Sequence, residues 1–367
     1  MLTIAAAGAL LLACRTSSIS KEVISKEVTG TEVTSKEASS KAVTGKAASG
    51  TEVTGKEADP GEGHAAKARD VLLGRRAPAV ELQLLDGGRV RLEDLFGQRP
   101  VYLEFWNTWC VPCREQMPHL EAAHRTYGDR IAVFAVNLGM NEPVETVREF
   151  RAAHALTVPI AVDGDGSLAE RYHVSVTPQH VLIDRAGIVR YVGHGATPEL
   201  DRALEALLRE DTAPADPQPA TAPAADEPLS LTLLDGSAFT LAAYAGRPVA
   251  LTFVKASCDT YLAKSRPAMA ADCAAHTRQV ESLRRAHPDV VWVTIAHPVW
   301  TDAATLERYR QRLATSAPIG IDEKSAWFHR FRIRAVPTTI LLNERGAEVE
   351  RVSGPGDDLP RALARLP

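Results

Sequence analysis

The chain has 367 residues, 45% hydrophobic and 24% charged, with a formal net charge of −4. That length suggests two domains plus accessory segments, the composition is globular, and the lack of a basic excess excludes nucleic acid and anionic membrane surfaces as expected partners. The longest apolar run, Leu2–Ala13, falls short of the roughly 20 residues that span a bilayer. The five cysteines are too few to staple a fold, so each is read on its own.

Residues 1–14 read MLTIAAAGALLLAC, an apolar run ending in Leu-Leu-Ala-Cys. This resembles a bacterial lipobox, which implies lipidation of Cys14 and anchoring in the cell envelope on the periplasmic side. Arg15 in place of an aspartate points by the same resemblance to the outer rather than the inner membrane. A cleaved ordinary signal peptide and a buried apolar helix with a chance cysteine are the other readings; the run has no Lys or Arg ahead of it, a departure from the signal pattern. From Ile19 to Ala58 a five-residue unit recurs, from ISKEV to TGKEA. A period of five matches neither helix nor strand, and a unit without aromatics cannot offset its ordering entropy by burial. Residues 15–66 are therefore expected to be a tether. About 50 residues of coil reach roughly 40 Å on average.

Residues 211–228 form a second low-complexity stretch, rich in Pro and Ala, expected to be a semi-stiff linker. It separates two segments, 67–210 and 229–367, that match each other. Val80–Gly87 parallels Leu229–Gly236, Pro100–Phe105 parallels Pro248–Phe253, and Cys110 aligns with Cys258. Val176-Thr-Pro178 parallels Ala335-Val-Pro337, and Gly187 and Gly346 are placed for hairpin turns. Each copy reads as strand, strand, helix, strand, helix, strand, strand, helix. In the first copy Val101–Trp106 is an apolar strand, followed by a helix from the Cys110 motif with a kink expected at Pro118. Ile131–Asn137 is the next strand and Val144–His154 the next helix. Val181–Asp184 and Val189–Val192 make a hairpin, and Pro198–Leu208 closes the domain. The expected class is α/β: two tandem domains, each a mixed sheet flanked by helices.

Trp109-Cys-Val-Pro-Cys113 places C-x-x-C at a strand-to-helix junction, which is a redox signature. A thiolate at a helix start meets free backbone N–H groups and the positive end of the dipole. Cys110 is then the nucleophile and Cys113, one turn on, the resolving thiol. No metal site is expected. Zinc needs four ligands, and neither a second C-x-x-C nor a His pair on one helix face supplies them; His119 and His124 are five residues apart. Electrons travel as thiol pairs, so no cofactor is expected either.

The run Phe105–Pro118 (FWNTWCVPCREQMP) resembles the active site of thioredoxin-fold proteins, most closely the membrane-attached TlpA/ResA-type thiol–disulfide oxidoreductases, over about residues 72–208. The resemblance implies a cis-proline at Pro178 after Thr177, beside the disulfide, with Trp109, Thr177 and Pro178 binding the substrate. It also implies that Glu104, six residues before Cys110 in an apolar strand, is the buried carboxylate that shuttles the proton of the second cysteine. The other reading of Glu104 is a half-exposed strand position. Relatives commonly carry Glu two residues before the helix proline, where this chain has Gln116 beside Glu115. Proton handling is then expected to rest on Glu104.

In the second copy Tyr261 stands where Cys113 would be, and Lys255 where peroxiredoxins have Ser or Thr. On one straight helix Cys258 and Cys273 would lie about 22 Å apart, beyond disulfide reach. Pro267 and a one-residue insertion could break that helix, so a Cys258–Cys273 bond and two free thiols both stand as readings. Pro337 after Val336 keeps the cis-proline context. The chain is thus expected to be an envelope-anchored protein thiol–disulfide oxidoreductase. By resemblance its clients carry cysteines, such as those of apocytochromes in cytochrome c maturation or of copper sites, and its electrons come from a membrane donor. A copper-binding metallochaperone and a client-docking interaction protein are the alternatives.

Overall fold

The computed structural model describes residues 60–209 and 229–366. The expectations for residues 1–14, including Cys14, for most of the tether and for the 211–228 linker fall outside the described residues.

The chain enters through α1 (Pro60–Leu72) and a short antiparallel pair, β1 (Glu81–Gln83) and β2 (Arg89–Arg91). Next come β3 (Val101–Trp106), α2 (Val111–Tyr127), β4 (Ala132–Asn137), α3 (Val144–Ala153), β5 (Ile160–Val162) and α4 (Ser167–Arg171). The hairpin β6 (Gln179–Ile183) and β7 (Val189–Gly193) leads to α5 (Pro198–Arg209). The five-stranded sheet has the order β5-β4-β3-β6-β7. Strand β3 pairs parallel with β4 and antiparallel with β6, so the sheet is mixed.

All six residues of β3 are buried, as a central strand covered on both faces requires. Alternation then sorts its side chains. Tyr102 and Trp106 join Met117 and Leu120 of α2 and Leu200 and Leu204 of α5 in one core. Val101, Leu103 and Phe105 join Ala68 and Leu72 of α1 and Leu168 of α4 in the other. Glu104 shares the α2 face.

The helix α1 corrects the tether, which was expected to run to residue 66 with the domain opening at 67. Helical structure begins at Pro60, because Ala65, Ala68 and Leu72 give this stretch an apolar stripe that docks beside β7. Helix α2 continues through Pro118 as a single element. The short β5 and α4 were missed in the sequence; three and five residues are too few for a hydrophobic period to declare itself.

The second copy repeats the plan. It comprises β8 (Ser230–Thr232), β9 (Ala238–Thr240), β10 (Val249–Val254), α6 (Cys258–Tyr261), α7 (Pro267–Ala286) and β11 (Val291–Ala296). It continues with α8 (Ala303–Arg312), β12 (Ile319–Ile321), α9 (Ala326–Arg330), β13 (Thr338–Leu342), β14 (Glu348–Ser353) and α10 (Asp358–Leu363). Its sheet order is β12-β11-β10-β13-β14, the same as the first. Gly187 and Gly346 sit at the tips of the two hairpins with φ of 80° and 74°, the left-handed region that those turns need. The helix corresponding to α2 is split into α6 and α7, with Pro267 opening the second piece.

Candidate active site

Cys110 is the N-cap of α2, in extended backbone at the end of the loop leaving β3. Its sulfur accepts from the Cys113 N–H at 3.2 Å, one of the donors that no helical carbonyl can satisfy. The same donor would stabilise a thiolate once the disulfide opens. Pro112 lies in the first turn, where a missing N–H costs nothing. Cys110 and Cys113 are joined in a disulfide with Cα atoms 5.3 Å apart. The loop is braced by Glu142, whose Oε1 accepts from Asn107 Nδ2 at 2.8 Å and from Asn137 Nδ2 at 2.9 Å. Its Oε2 accepts from the Thr108 hydroxyl.

Glu104 is completely buried, and neither carboxyl oxygen has a hydrogen-bond partner. Burial alone pushes its pKa up to about 8, since a lone carboxylate loses its hydration without replacement. Its cross-strand partner in β6 is His180. Burial pushes His180 down to about 3, so the ring is neutral. Although Nδ1 lies 3.7 Å from Glu104 Oε2, an ion pair is ruled out over the range where acid and imidazole are both uncharged. The ring is satisfied elsewhere. Tyr102 O–H donates to Nδ1 at 3.0 Å, and Nε2–H donates to Gln116 Oε1 at 3.0 Å, an assignment set by the partners. Gln116 Oε1 also accepts from the Ala196 N–H. Gln116 therefore links α2 to β6 through a neutral chain, leaving Glu104 as the titratable group beneath the cysteine-bearing helix.

The Thr177–Pro178 bond is cis. Cys110 Sγ lies 3.5 Å from the Thr177 carbonyl oxygen, a plain contact in the disulfide and a hydrogen-bond distance for the thiol. Disulfide and cis-proline loop thus touch. Trp109, expected to meet substrate, is instead 6% exposed. Its Nε1–H donates to Met140 O at 2.8 Å, and Lys255 Nζ of the second domain lies 4.0 Å from its ring centre. Burial pushes the Lys255 ammonium pKa down to about 7. The Val111 N–H donates to Tyr261 Oη at 2.9 Å. Cys110 itself is only 1% exposed. The surface expected to bind substrate is therefore roofed by the second domain, a relation that residues so far apart in the chain do not announce.

In the second domain Cys258 starts α6 and is joined to Cys273 of α7, with Cα atoms 6.1 Å apart. The break between the two helices brings these residues together. Arg312 holds the Cys258 turn against α8, donating to both carboxylate oxygens of Asp259 at 2.7 Å and to Ala256 O at 3.0 Å. Val336–Pro337 is also cis. Among the described residues no group of three or more His, Cys, Asp or Glu side chains is gathered as a metal site.

Of the expected site residues, Cys110, Cys113, Thr177 and Pro178 come together at one point, and Glu104 lies on the sheet face that their helix covers. His180, Glu142 and Tyr261 were missed. His180 had a readable signal, a polar residue inside the apolar strand QHVLI. Tyr261 acts across 150 residues of chain and Glu142 reaches Asn107 across 35, and neither had one.

A mixed five-stranded sheet with a disulfide at the start of its central helix, touching a cis-proline loop, defines a thioredoxin-like thiol–disulfide oxidoreductase. The sequence comparisons agree. Residues 73–192 match the AhpC/TSA family. The chain is 37% identical to the thioredoxin-like protein YneN of Bacillus subtilis over 135 residues, 36% of this chain and 78% of that protein. It is 34% identical to the thiol-disulfide oxidoreductase ResA of Geobacillus kaustophilus over 140 residues, 37% of this chain and 79% of that protein. A solved structure of a thiol:disulfide interchange protein DsbE homologue from Chlorobium tepidum aligns at 33% identity, with a TM-score of 0.33, over 37% of this chain and 94% of that one. The chain belongs to the thioredoxin-like thiol–disulfide oxidoreductases of the ResA type.

Proposed function

We propose that this protein exchanges disulfides with cysteine-bearing client proteins in the bacterial cell envelope, anchored through lipidated Cys14. The observation that carries the chemistry is the contact between the Cys110–Cys113 disulfide and the cis Thr177–Pro178 loop, with Cys110 Sγ 3.5 Å from the Thr177 carbonyl. In the reductive direction, Cys110 thiolate attacks a client disulfide and forms a mixed disulfide, expelling one client thiolate. Cys113 then attacks Cys110 Sγ, closing the 110–113 bond and releasing the second client thiol. The ionised fraction of Glu104, whose pKa burial holds near 8, takes the Cys113 proton as that thiol becomes the nucleophile. Two electrons pass to the client at each cycle, and a dithiol donor at the membrane restores them. No cofactor is required for this cycle. The names of the relatives support the reaction class, and the apolar Leu2–Ala13 run ending at Cys14 supports the anchor. Resemblance to the family favours apocytochrome or copper-site cysteines as clients.

The test is reduction of a protein disulfide by the reduced full chain at pH 7, together with metabolic labelling of Cys14 by a radioactive fatty acid. Wild type should reduce the disulfide and take up label. Loss of reduction in Cys110→Ser supports the exchange, and an unchanged rate would overturn it. Label retained in Cys14→Ala would remove the anchor.

A further inference from the structure

Each domain sends a residue into the other's cis-proline loop. These residues are Asn141, four beyond the end of β4, and Trp300, four beyond the end of β11. Both have left-handed backbone, with φ of 56° and 57°. The Trp300 N–H donates to Ser175 O at 2.9 Å, and the Asn141 N–H donates to Arg334 O at 2.9 Å. Each acceptor lies three residues before its cis-proline. One bond is thus made twice in opposite directions, so the domains meet about a pseudo-twofold axis.

The side chains break that symmetry. Asn141 clasps the backbone of Val336, accepting from its N–H at 2.6 Å and donating to its carbonyl at 3.1 Å. A cleft of about 810 Å³ remains beside it, with Met269 and Pro337 in its walls. Trp300 instead fills its site. Its Nε1–H donates to Thr177 O at 3.2 Å, and its ring packs edge-on against His194 and His64, at centroid distances of 5.0 and 5.8 Å. Val299, 1% exposed, enters the core built by Leu72, Phe105 and Tyr172 of the first domain. The two bonds from Trp300 end on carbonyls of alternate residues, 175 and 177. One is made by its backbone N–H and the other by its indole, so a single residue occupies both main-chain acceptors of the loop that carries the cis-proline.

We propose that Val299–Trp300 is a resident occupant of the first domain's substrate groove. A client enters as an extended segment that takes over the bonds to Ser175 and Thr177, with an apolar or aromatic side chain replacing the indole. The second domain is then the competitor that a client must displace before Cys110 can react. The inference rests on Cys110–Cys113 being the reacting pair.

The test uses the reduced full-length protein and two oxidants. One is a decapeptide disulfide dimer; the other is hydroxyethyl disulfide, which lacks a peptide backbone. Either is reduced by two electrons as Cys110–Cys113 closes, with two thiols released. Trp300→Ala should raise the second-order rate with the peptide about tenfold, since the fraction of open groove limits the apparent rate. Trp300→Phe, which keeps the ring but loses Nε1–H, should give a smaller rise. Arg334→Ala removes the guanidinium bonds to Asp163 O and Gly164 O outside the groove. It should raise the rate as well, and it carries the test if Trp300→Ala does not fold. Peptide rates unchanged or lowered in folded Trp300→Ala or Arg334→Ala, with hydroxyethyl disulfide still consumed, would overturn the resident occupant. Failure of every form to consume hydroxyethyl disulfide would overturn the redox assignment instead.

Discussion

The two domains have the same strand order and different groups at matching positions. At one cross-strand position the first pairs Glu104 with His180, and the second pairs Thr252 with Thr339. The threonine hydroxyls bond each other at 3.1 Å, and Thr339 Oγ1 also meets His276 Nε2 at 2.9 Å. A partnerless acid in one domain is thus a satisfied neutral pair in the other. On the helix above, Cys113 has become Tyr261, whose hydroxyl now caps the Val111 N–H across the interface. The sheet does not need the acid, since the second domain closes around a buried threonine pair at that position. Burying an unpaired carboxyl costs stability, so its presence in the first domain marks a working position. The titratable group and the resolving thiol are absent together from the second.

The largest contrast to break is that of the cysteines. Cys110→Ser should drop protein-disulfide reduction to the uncatalysed background, whereas Cys258→Ser should leave the rate within about twofold, the nucleophile being the group that no neighbour replaces. A comparable loss in Cys258→Ser would show that the second disulfide takes part in turnover. The second disulfide is expected to matter for stability. With a sequence separation of 15, replacing Cys258 and Cys273 by Ala should cost the second domain about 3 kcal/mol, read from urea unfolding.

Glu104→Gln should slow reduction about 100-fold near pH 7, as removal of a general acid–base group does, and abolish the kinetic step near pH 8. Thr252→Val should do neither. Stability gives a second reading of the same group. The folded pKa of Glu104 lies near 8, above its ordinary 4.5. The folded state therefore binds the proton more tightly, and this stabilisation is complete below pH 4.5 and lost as pH rises through 8. Asp163 and Asp322, raised by burial to about 6 and about 7, slope the same way. The informative quantity is thus the difference between wild-type and Glu104→Gln unfolding free energies. That difference should fall between pH 4.5 and 8; a flat one would sink the assignment. The smallest contrast lies at the next helix. Asp302 caps α8 by accepting from the Thr305 N–H at 2.7 Å, whereas α3 opens at Pro143 with no side-chain cap. Asp302→Ala should cost about 1 kcal/mol in thermal unfolding.

Much of the site was legible because its parts are local. C-x-x-C at a strand end, Thr-Pro before an apolar strand and a lone Glu in Val101–Trp106 each declare themselves within a few residues. Gln116 was read only as a missing acid; the structure makes it the link between His180 and the Ala196 N–H. His180 could have been found by the reasoning that found Glu104. The start of α1 was obscured by the repeat before it, whose Lys and Glu composition continues nearly to Pro60.

By itself the sequence determined the redox chemistry, the α/β class and the two domains of one strand plan. Those properties follow from residue spacing and hydrophobic period along one stretch of chain. Tertiary structure decided where Cys273 meets Cys258, through a helix broken before Pro267, and what covers the active site. Trp300 reaches Thr177 across 123 residues of chain, and Asn141 reaches Val336 across 195. Such contacts depend on how two folded surfaces fit, and no local pattern encodes that fit.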